Sequence, residues 1–127
     1  MKWIGVFVLI TLVLISAPVS ALTYDQMARN PDQYIGESVT ITGQVSQVMY
    51  ETDTLGLRIY TGKSSYGSYV EDDIMVVFSP IPKGSRVLED DMVRITGRFG
   101  GEYRYETLLG AVRTVPGILG ETVEILS

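Results

Sequence analysis

The sequence predicts a mainly β protein: a small barrel or sandwich of five or six short strands, preceded by one short helix. The first observation is a near repeat, in which Val39–Val45 (VTITGQV) returns as Val93–Phe99 (VRITGRF). Apolar residues alternate at period two in both copies, which is typical of strands with one buried face. The second observation is that turn residues recur at short intervals with almost no helical periodicity, as in small barrels and sandwiches.

Both copies of the repeat have a glycine at the same place, Gly43 in the first and Gly97 in the second. A glycine weakens a strand because it costs backbone entropy and offers no side chain to pack, so two in register indicate a bend or bulge that the fold requires. Strongly bent strands are how a small sheet closes into a barrel. We therefore expect two barrel strands that meet the same bending requirement.

The first 21 residues have the pattern of a secretory signal peptide. Lys2 gives a positive start, residues 3–15 form an almost unbroken apolar run, and small residues end at Ala21, where we expect cleavage. The run is shorter than the ~20 apolar residues of a membrane span, and an uncleaved N-terminal anchor is the alternative interpretation. We expect a signal peptide at 1–21 and one folded domain at 22–127, exported to a periplasmic, extracellular or cell-surface location, with no membrane span after cleavage.

The composition narrows the possible functions. The chain of 127 residues has a net charge of −5, so it lacks the overall basic character that phosphate binding requires, which disfavours nucleic acid as a partner. It contains no Cys and no His. Their absence removes disulfides, the usual zinc ligands and the common nucleophile–base systems. We therefore expect no catalytic residues, no cofactor and no metal.

A short helix is predicted over Thr23–Asn30. Thr23 is its N-cap, Gln26 occupies the capping-box position, and Pro31 forces its end. One face of this helix, which we expect to dock on the mouth of a barrel, consists of Tyr24, Met27 and Ala28.

Strands follow in order along the chain. The first three are predicted at Ser38–Tyr50, Leu55–Tyr60 and Ile74–Phe78. Polar residues 51–54 separate the first two, and Leu55, Leu57 and Ile59 alternate on one face of the second. Residues 61–69 lack apolar periodicity and are rich in Gly, Ser and Tyr, so we expect a mobile surface loop there.

The remaining strands begin after a Pro-rich turn. They are predicted at Met92–Phe99, Glu102–Val115 and Thr122–Leu126. Gly100–Gly101 is expected to open a hairpin between the first two of them, and Pro116–Gly117 is expected to end the fifth strand.

These residues resemble an oligonucleotide/oligosaccharide-binding (OB) fold. Residues 39–45 are similar to its opening strand, and the acidic turn before a V-x-I-x-G pattern at 88–97 is similar to its fourth strand. More narrowly, residues 30–39 and 109–116 resemble the tRNA-anticodon-like group of small exported OB domains.

The resemblance implies a five- to six-stranded, OB-like Greek-key β-barrel in which the first strand pairs with both the second and the fourth. The helix that usually joins strands three and four has almost no room between Pro80 and Asp91. We expect the short N-terminal helix to close the barrel instead.

The resemblance also implies a ligand face, because OB domains bind on strands two and three, flanked by the loops between strands one and two and strands four and five. On this chain the candidate ligand-binding residues are Tyr50, Arg58, Tyr60, Lys63, Tyr66, Tyr69, Tyr103, Arg104 and Tyr105. Aromatic rings there can stack on bases or sugars, and arginine can pair with anions. The alternative is that these are ordinary half-buried strand tyrosines, since Tyr is favoured in strands whatever the ligand.

Two acidic runs, Glu71–Asp73 and Glu89–Asp91, precede apolar strands. Clustered carboxylates suit calcium, but neither run has the spacing of a calcium loop. Charge at such positions discourages edge pairing, and we interpret both runs as solvated residues.

The sequence therefore favours a non-enzymatic exported OB-fold binding module that takes a protein, a peptide or another extended ligand at the cell envelope. A protein or peptide is preferred because an acidic surface repels nucleic acid and anionic lipid. Single-stranded nucleic-acid binding is the alternative, supported by the fold resemblance and the Tyr and Arg residues. A carboxylate-dependent hydrolase is a third alternative, without a nucleophile to pair with the acids.

Overall fold

The computed structural model describes residues 22–63 and 69–127. Its elements are helices α1 (Tyr24–Arg29) and α2 (Pro31–Tyr34) and strands β1 (Ser38–Tyr50), β2 (Leu55–Lys63), β3 (Tyr69–Phe78), β4 (Met92–Glu106) and β5 (Val112–Ile125). The signal peptide predicted at 1–21 lies outside the described residues. Within the described ranges, neither helix is long and apolar enough to cross a membrane.

The five strands form a closed barrel in the order β1-β2-β3-β5-β4, and β4 pairs back onto β1. All neighbouring strands are antiparallel except β3 and β5, whose short parallel pairing joins Met75–Val77 to Gly117–Leu119. As predicted, β1 pairs with both β2 and β4. This is the architecture of a small OB-like barrel, so the predicted fold class is confirmed, with five strands rather than six.

The two copies of the repeat lie on neighbouring antiparallel strands, β1 and β4. Each of the two glycines allows another strand to approach closely, β2 at Gly43 and β5 at Gly97. A Cβ on Gly43 would overlap the carbonyl oxygen of Tyr60 on β2, and a Cβ on Gly97 would overlap that of Leu119 on β5. The ladder between β4 and β5 also shifts register at Gly97, as expected for a bulge. The repeat is therefore part of the barrel scaffold.

The barrel interior contains alternate residues of the strands, as the period-two pattern predicts. The side chains of β2 and β3 that belong to the buried core cluster are Leu55, Leu57, Ile59, Ile74, Val76 and Phe78. The outward residues between them therefore form the face on which a ligand site was expected.

Helix α1 packs on this core as the sequence predicts. Met27 is 1% exposed and contacts the core cluster, and Tyr24 packs beside it. The predicted capping box is present, because the Gln26 N–H donates to Thr23 Oγ1 (3.2 Å) and the Thr23 N–H donates to Gln26 Oε1 (2.9 Å). Ala28 is exposed, so its placement on the docking face is wrong. Residues 79–91 between β3 and β4 contain no helix, and α1 contributes to the core instead.

The predicted hairpin at Gly100–Gly101 is wrong, because both glycines lie inside β4. The ladder shifts register there and Gly101 has φ +94°, so the pair forms a bulge rather than a turn. The actual turn is at 107–111. It is closed by two hydrogen bonds, from the Gly110 N–H to the Thr107 carbonyl and from the Thr107 N–H to the Ala111 carbonyl.

Strand β5 also runs through the predicted break at Pro116–Gly117, so the predicted sixth strand is the end of β5. Pro116 comes before the three residues of β5 that pair with β3, so its missing N–H removes no hydrogen bond to β3. The loop predicted over 61–69 is shorter at both ends, because β2 continues to Lys63 and β3 begins at Tyr69. Residues 64–68 lie outside the described ranges.

Candidate ligand-binding site

Arg58 of β2 and Asp73 of β3 form an ion pair on the outer face of the barrel. Arg58 Nη2 lies 2.5 Å from Asp73 Oδ2 and donates to the Tyr105 hydroxyl at 2.9 Å. The Tyr105 hydroxyl in turn donates to the same Asp73 Oδ2 at 3.1 Å. These three side chains form one hydrogen-bonded group, called here the Arg58 cluster.

The Arg58 cluster is shielded from water. Asp73 is 5% exposed, and the Arg58 side chain is 21% exposed. The hydrogen bond that Arg58 donates to Asp73 raises the pKa of Arg58 above its already high usual value, against the opposing effect of burial. Burial and then the negative charge of Asp73 raise the pKa of Tyr105. At neutral pH, therefore, Arg58 is a cation and Tyr105 keeps its proton.

The cluster holds the β4–β5 hairpin against the barrel. The Tyr105 ring lies 4.9 Å from the guanidinium carbon of Arg58, and Tyr103 follows on the same face of β4 with a ring–ring distance of 6.5 Å. Tyr103 lies beside Met75 and Val77, the outward residues of β3. The hairpin therefore covers part of the face that OB barrels use for ligands.

An open groove of 590 Å³ lies beside the cluster, between the barrel and the hairpin. Its barrel side is formed by Gln47 of β1 and Arg58 of β2; the hairpin side includes Tyr105, Glu106, Leu108, Leu109 and Arg113. We call it the hairpin groove. It combines one aromatic ring, two arginines and two leucines in a single open surface.

The charges of the hairpin groove nearly balance. Arg58 is paired with Asp73, and Arg113 is accompanied by Glu106. Arg113 has no ion-pair partner among the side chains that the structure describes. Among the side chains that the structure describes, the groove therefore has one cation without an ion-pair partner, Arg113, rather than a row of such cations.

The start of the folded chain lies in the same neighbourhood. Burial and then the negative charges of Asp72 and Asp73 raise the pKa of Tyr24 of α1, and the positive charge of Arg113 opposes them. Tyr24 of α1 is therefore within range of the charges of Arg113, Asp72 and Asp73.

The structure brings four of the predicted ligand residues together. Arg58, Tyr103 and Tyr105 meet as described above. Tyr60 points outward, since its neighbour Ile59 is buried, and its register partner on β3 is Asp73. Whether these residues bind a ligand stays a prediction.

Other predicted residues lie elsewhere. Tyr50 does not join the face, because its hydroxyl accepts the Val87 N–H (3.2 Å) and its ring lies 3.9 Å from the guanidinium carbon of Arg86. Tyr50 therefore supports the loop between β3 and β4. Arg104 is exposed on the opposite face of β4 from Tyr103 and Tyr105, as strand alternation requires.

The last three predicted residues surround the segment between β2 and β3. Lys63 ends β2 and pairs in register with Tyr69, which begins β3. Tyr66 lies outside the described residues.

The sequence interpretation missed Asp73, Gln47, Arg113, Leu108 and Leu109. Treating Glu71–Asp73 as solvated residues is wrong for Asp73, which is buried against Arg58. The alternation with the apolar Ile74 could have predicted this contact. It places Asp73 on the outer face, diagonal to Arg58 on the adjacent strand. Across the described ranges, acidic side chains form no group of three that could hold a metal ion.

The closed five-strand barrel, with β1 between β2 and β4, fits the OB fold. No protein-family model matches the chain, and no curated protein matches its sequence. A solved structure that is similar to it is the mitochondrial single-stranded DNA-binding protein Rim1 from S. cerevisiae. The TM-score is 0.43 at 16% identity, covering 72% of this chain and 95% of that chain. The fold assignment rests on the strand order, and the narrower likeness to the tRNA-anticodon-like group stays a prediction.

Proposed function

We propose that this chain is a non-enzymatic OB-like binding module that takes an extended polypeptide segment in the hairpin groove. The main support is the composition of the groove wall, where Leu108 and Leu109 are 105% and 97% exposed beside Tyr105 and Arg113. Aromatic, arginine and apolar side chains with few unpaired charges are typical of the centre of protein interfaces. The position of the groove beside β2 agrees with the ligand face of OB barrels.

Single-stranded nucleic acid is the second candidate ligand. It is favoured by Arg58 and Arg113 near the rings of Tyr60 and Tyr105, on which bases could stack. Against it, Asp73 neutralises Arg58, and the chain as a whole is negative. A phosphate backbone binds to several unpaired cations at once. The charge balance of the groove therefore favours the polypeptide.

Hydrolysis through the carboxylates has little support. Glu106 lines the groove without a second carboxylate beside it among the described lining residues. Asp73 lies next to Arg58, and its Oδ2 already accepts from Arg58 and Tyr105. A carboxylate oxygen that accepts two hydrogen bonds from neighbouring side chains supports a structural role rather than general acid–base catalysis.

A selection from a random-peptide phage library on the immobilised protein tests the proposal. Arg113→Gln and Leu109→Ser change the groove lining without breaking the Arg58 cluster, so selected peptides should lose about tenfold in affinity for each variant. Arg94→Gln is the matched control, since Arg94 pairs with Glu124 away from the groove. Failure to select peptides, or peptides that bind all three variants equally, would contradict the proposal.

The same variants test the second candidate with an oligothymidylate as probe. We expect no binding at physiological salt. Tight binding that falls steeply with salt and weakens in Arg113→Gln would indicate that single-stranded nucleic acid, not a polypeptide, is the ligand.

We further propose that residues 1–21 export the protein, either as a cleaved signal peptide or as a retained anchor. Trp3 is the only tryptophan. Secreted protein with tyrosine emission alone would show cleavage, whereas tryptophan emission would show that the segment is retained.

A further inference from the structure

A row of apolar and glycine residues crosses the outer face of the barrel. Its members are in register on four neighbouring strands: Met49 of β1, Gly56 of β2, Val77 of β3 and Leu119 of β5. Their neighbours along each strand belong to the core or pack against it, so strand alternation directs all four outward. Leu119 is 60% exposed. Contiguous apolar surface on the outside of a domain marks an interaction site, whereas single exposed apolar residues do not.

Tyr103 of the β4–β5 hairpin lies against this row and divides the space beside it. One open cavity of 310 Å³ reaches residues of β1 and β2, and a smaller one of 90 Å³ reaches residues of β4 and β5. We call the larger cavity the outer notch. Its apolar lining is formed around Gly56 by Met49, Met75, Val77 and Tyr103. The outer notch is therefore an apolar recess that opens to solvent.

Gly56 leaves the outer notch open because it has no side chain. A Cβ on Gly56 would meet the flexible end of Met49 first, with Cε at 3.3 Å. The glycines of the repeat differ, since the space beside Gly43 and Gly97 is taken by the backbone of another strand. The space at Gly56 is thus available to a side chain from outside the molecule. Methionine adapts its shape readily, so Met49 can close around such a side chain.

The outer notch continues the hairpin groove. Gly56 in the notch and Arg58 in the groove are two residues apart on β2, about 7 Å at the strand rise per residue. The rings of Tyr103 and Tyr105, one at each site, are 6.5 Å apart. Side chains i and i+2 of an extended polypeptide have the same spacing and point to the same side. One extended segment therefore reaches both sites with alternate side chains.

Glu51 gives the outer notch a negative charge. It lines the notch and is exposed, and it has no ion-pair partner among the side chains that the structure describes. The rest of the lining is uncharged. A basic ligand residue beside the notch meets a complementary charge there, whereas an acidic one is repelled. Charge complementarity of this kind sets the register in which a segment binds.

We propose that the outer notch binds one apolar side chain of the polypeptide that lies in the hairpin groove, with a basic residue of the same polypeptide facing Glu51. This proposal rests on the function proposed for the groove and adds the kind of segment that it selects. The apolar residue lies two positions from the residue that enters the groove. Gly56 and Met49 are then specificity-determining residues, since they set the space that the apolar side chain fills.

Methionine methyl signals test the outer notch without a selected peptide. The full-length chain, labelled with ¹³C at its methionine methyl groups, is titrated with N-acetyl-L-leucinamide, and N-acetylglycinamide serves as the control ligand. We expect the Met49 signal to shift with the leucine compound alone. The signals of Met27 in the core and Met92 at the start of β4 should stay unchanged. An unchanged Met27 signal also shows that the core of each variant is intact.

Gly56→Val should abolish the shift of Met49, because its branched side chain fills the outer notch. Gly56→Ala should weaken the shift, since Met49 has only to move aside slightly. Thr40→Val is the matched control. It adds an apolar side chain on the outer face of β1, nine residues from Met49, and should leave the shift as it is. An unshifted Met49 in the native chain, or a full shift in folded Gly56→Val, would overturn the proposal.

A peptide selected on the native chain tests the link between the two sites. Replacement of its apolar residue by alanine should lower its affinity about tenfold for the native chain and not at all for Gly56→Val. Glu51→Gln should lower the affinity of the unchanged peptide about threefold. Peptides that lose affinity in Arg113→Gln but bind Gly56→Val like the native chain would overturn the notch and leave the groove in place. A shifted Met49 without any selected peptide would contradict the groove and overturn its link to the notch.

Discussion

Arg58 on β2 and Asp73 on β3 are joined through a single carboxylate oxygen, Oδ2, which also accepts the Tyr105 hydroxyl of the β4–β5 hairpin. This relationship couples the hairpin to the barrel. The same ion pair that neutralises Arg58 fixes the hairpin over part of the expected ligand face. Arg58 and Tyr105 therefore have a structural role, and Arg113 and Leu109, which line the groove outside the Arg58 cluster, are the better positions at which to test binding.

Asp73→Asn should destabilise the fold. It removes the negative charge that compensates Arg58, and an uncompensated, largely buried charge costs about 1–3 kcal/mol. Urea unfolding measures the loss, and hydrogen exchange should be faster at the amides of 103–106. Asp72→Asn is the matched control, since Asp72 is exposed and both residue types tolerate its φ of 58°. Equal stability of the two variants would contradict the role of Asp73.

Tyr105→Phe should cost about 1 kcal/mol of unfolding free energy, because it removes the hydroxyl that bonds to Arg58 and Asp73 but keeps the ring. Tyr103→Phe is the control. The Tyr103 hydroxyl forms no hydrogen bond with a described residue, so its loss should leave stability unchanged. Thermal unfolding of both variants compares them, and a larger loss for Tyr103→Phe would count against the cluster.

Stability should fall at alkaline pH. The pKa values of Tyr24 and Tyr105 are raised in the folded chain, so the folded state keeps these protons longer than the unfolded state. Their contribution is present at neutral pH and is lost as the pH rises above about 10, through the raised pKa values. Urea unfolding at increasing pH should show a shallower decline for Tyr105→Phe than for the native chain. Identical declines would contradict the assigned shift.

Gly43→Ala and Gly97→Ala should each destabilise the barrel by about 1–3 kcal/mol or more, because the added methyl group overlaps a carbonyl oxygen of the neighbouring strand. Gly100→Ala is the control on β4. Its Cβ would meet the Leu119 side chain at an ordinary 3.4 Å. A thermal unfolding midpoint for Gly43→Ala or Gly97→Ala as high as that of Gly100→Ala would show that close strand approach is not the reason for the repeated glycines.

The sequence predicts the scaffold better than the hairpin. The V-x-I-T-G repeat identifies two barrel strands because alternation and glycine position are local signals. Gly100–Gly101 is ambiguous, since a glycine pair serves a turn or a bulge, and only the long pairing of β4 with β5 decides between them. Alternation likewise places Arg58 and Tyr60 on one face. Alternation with Ile74 also places Asp73 on the face of Arg58, but its contact with Tyr105, 32 residues away, follows no local pattern.

The most direct test of the hairpin groove as the ligand site is the affinity of a selected peptide for Arg113→Gln, measured together with the stability of that variant. We predict a loss of about tenfold in affinity with unchanged unfolding free energy, because Arg113 has no ion-pair partner among the described side chains. An unchanged affinity in a folded Arg113→Gln chain would contradict the assignment of the groove.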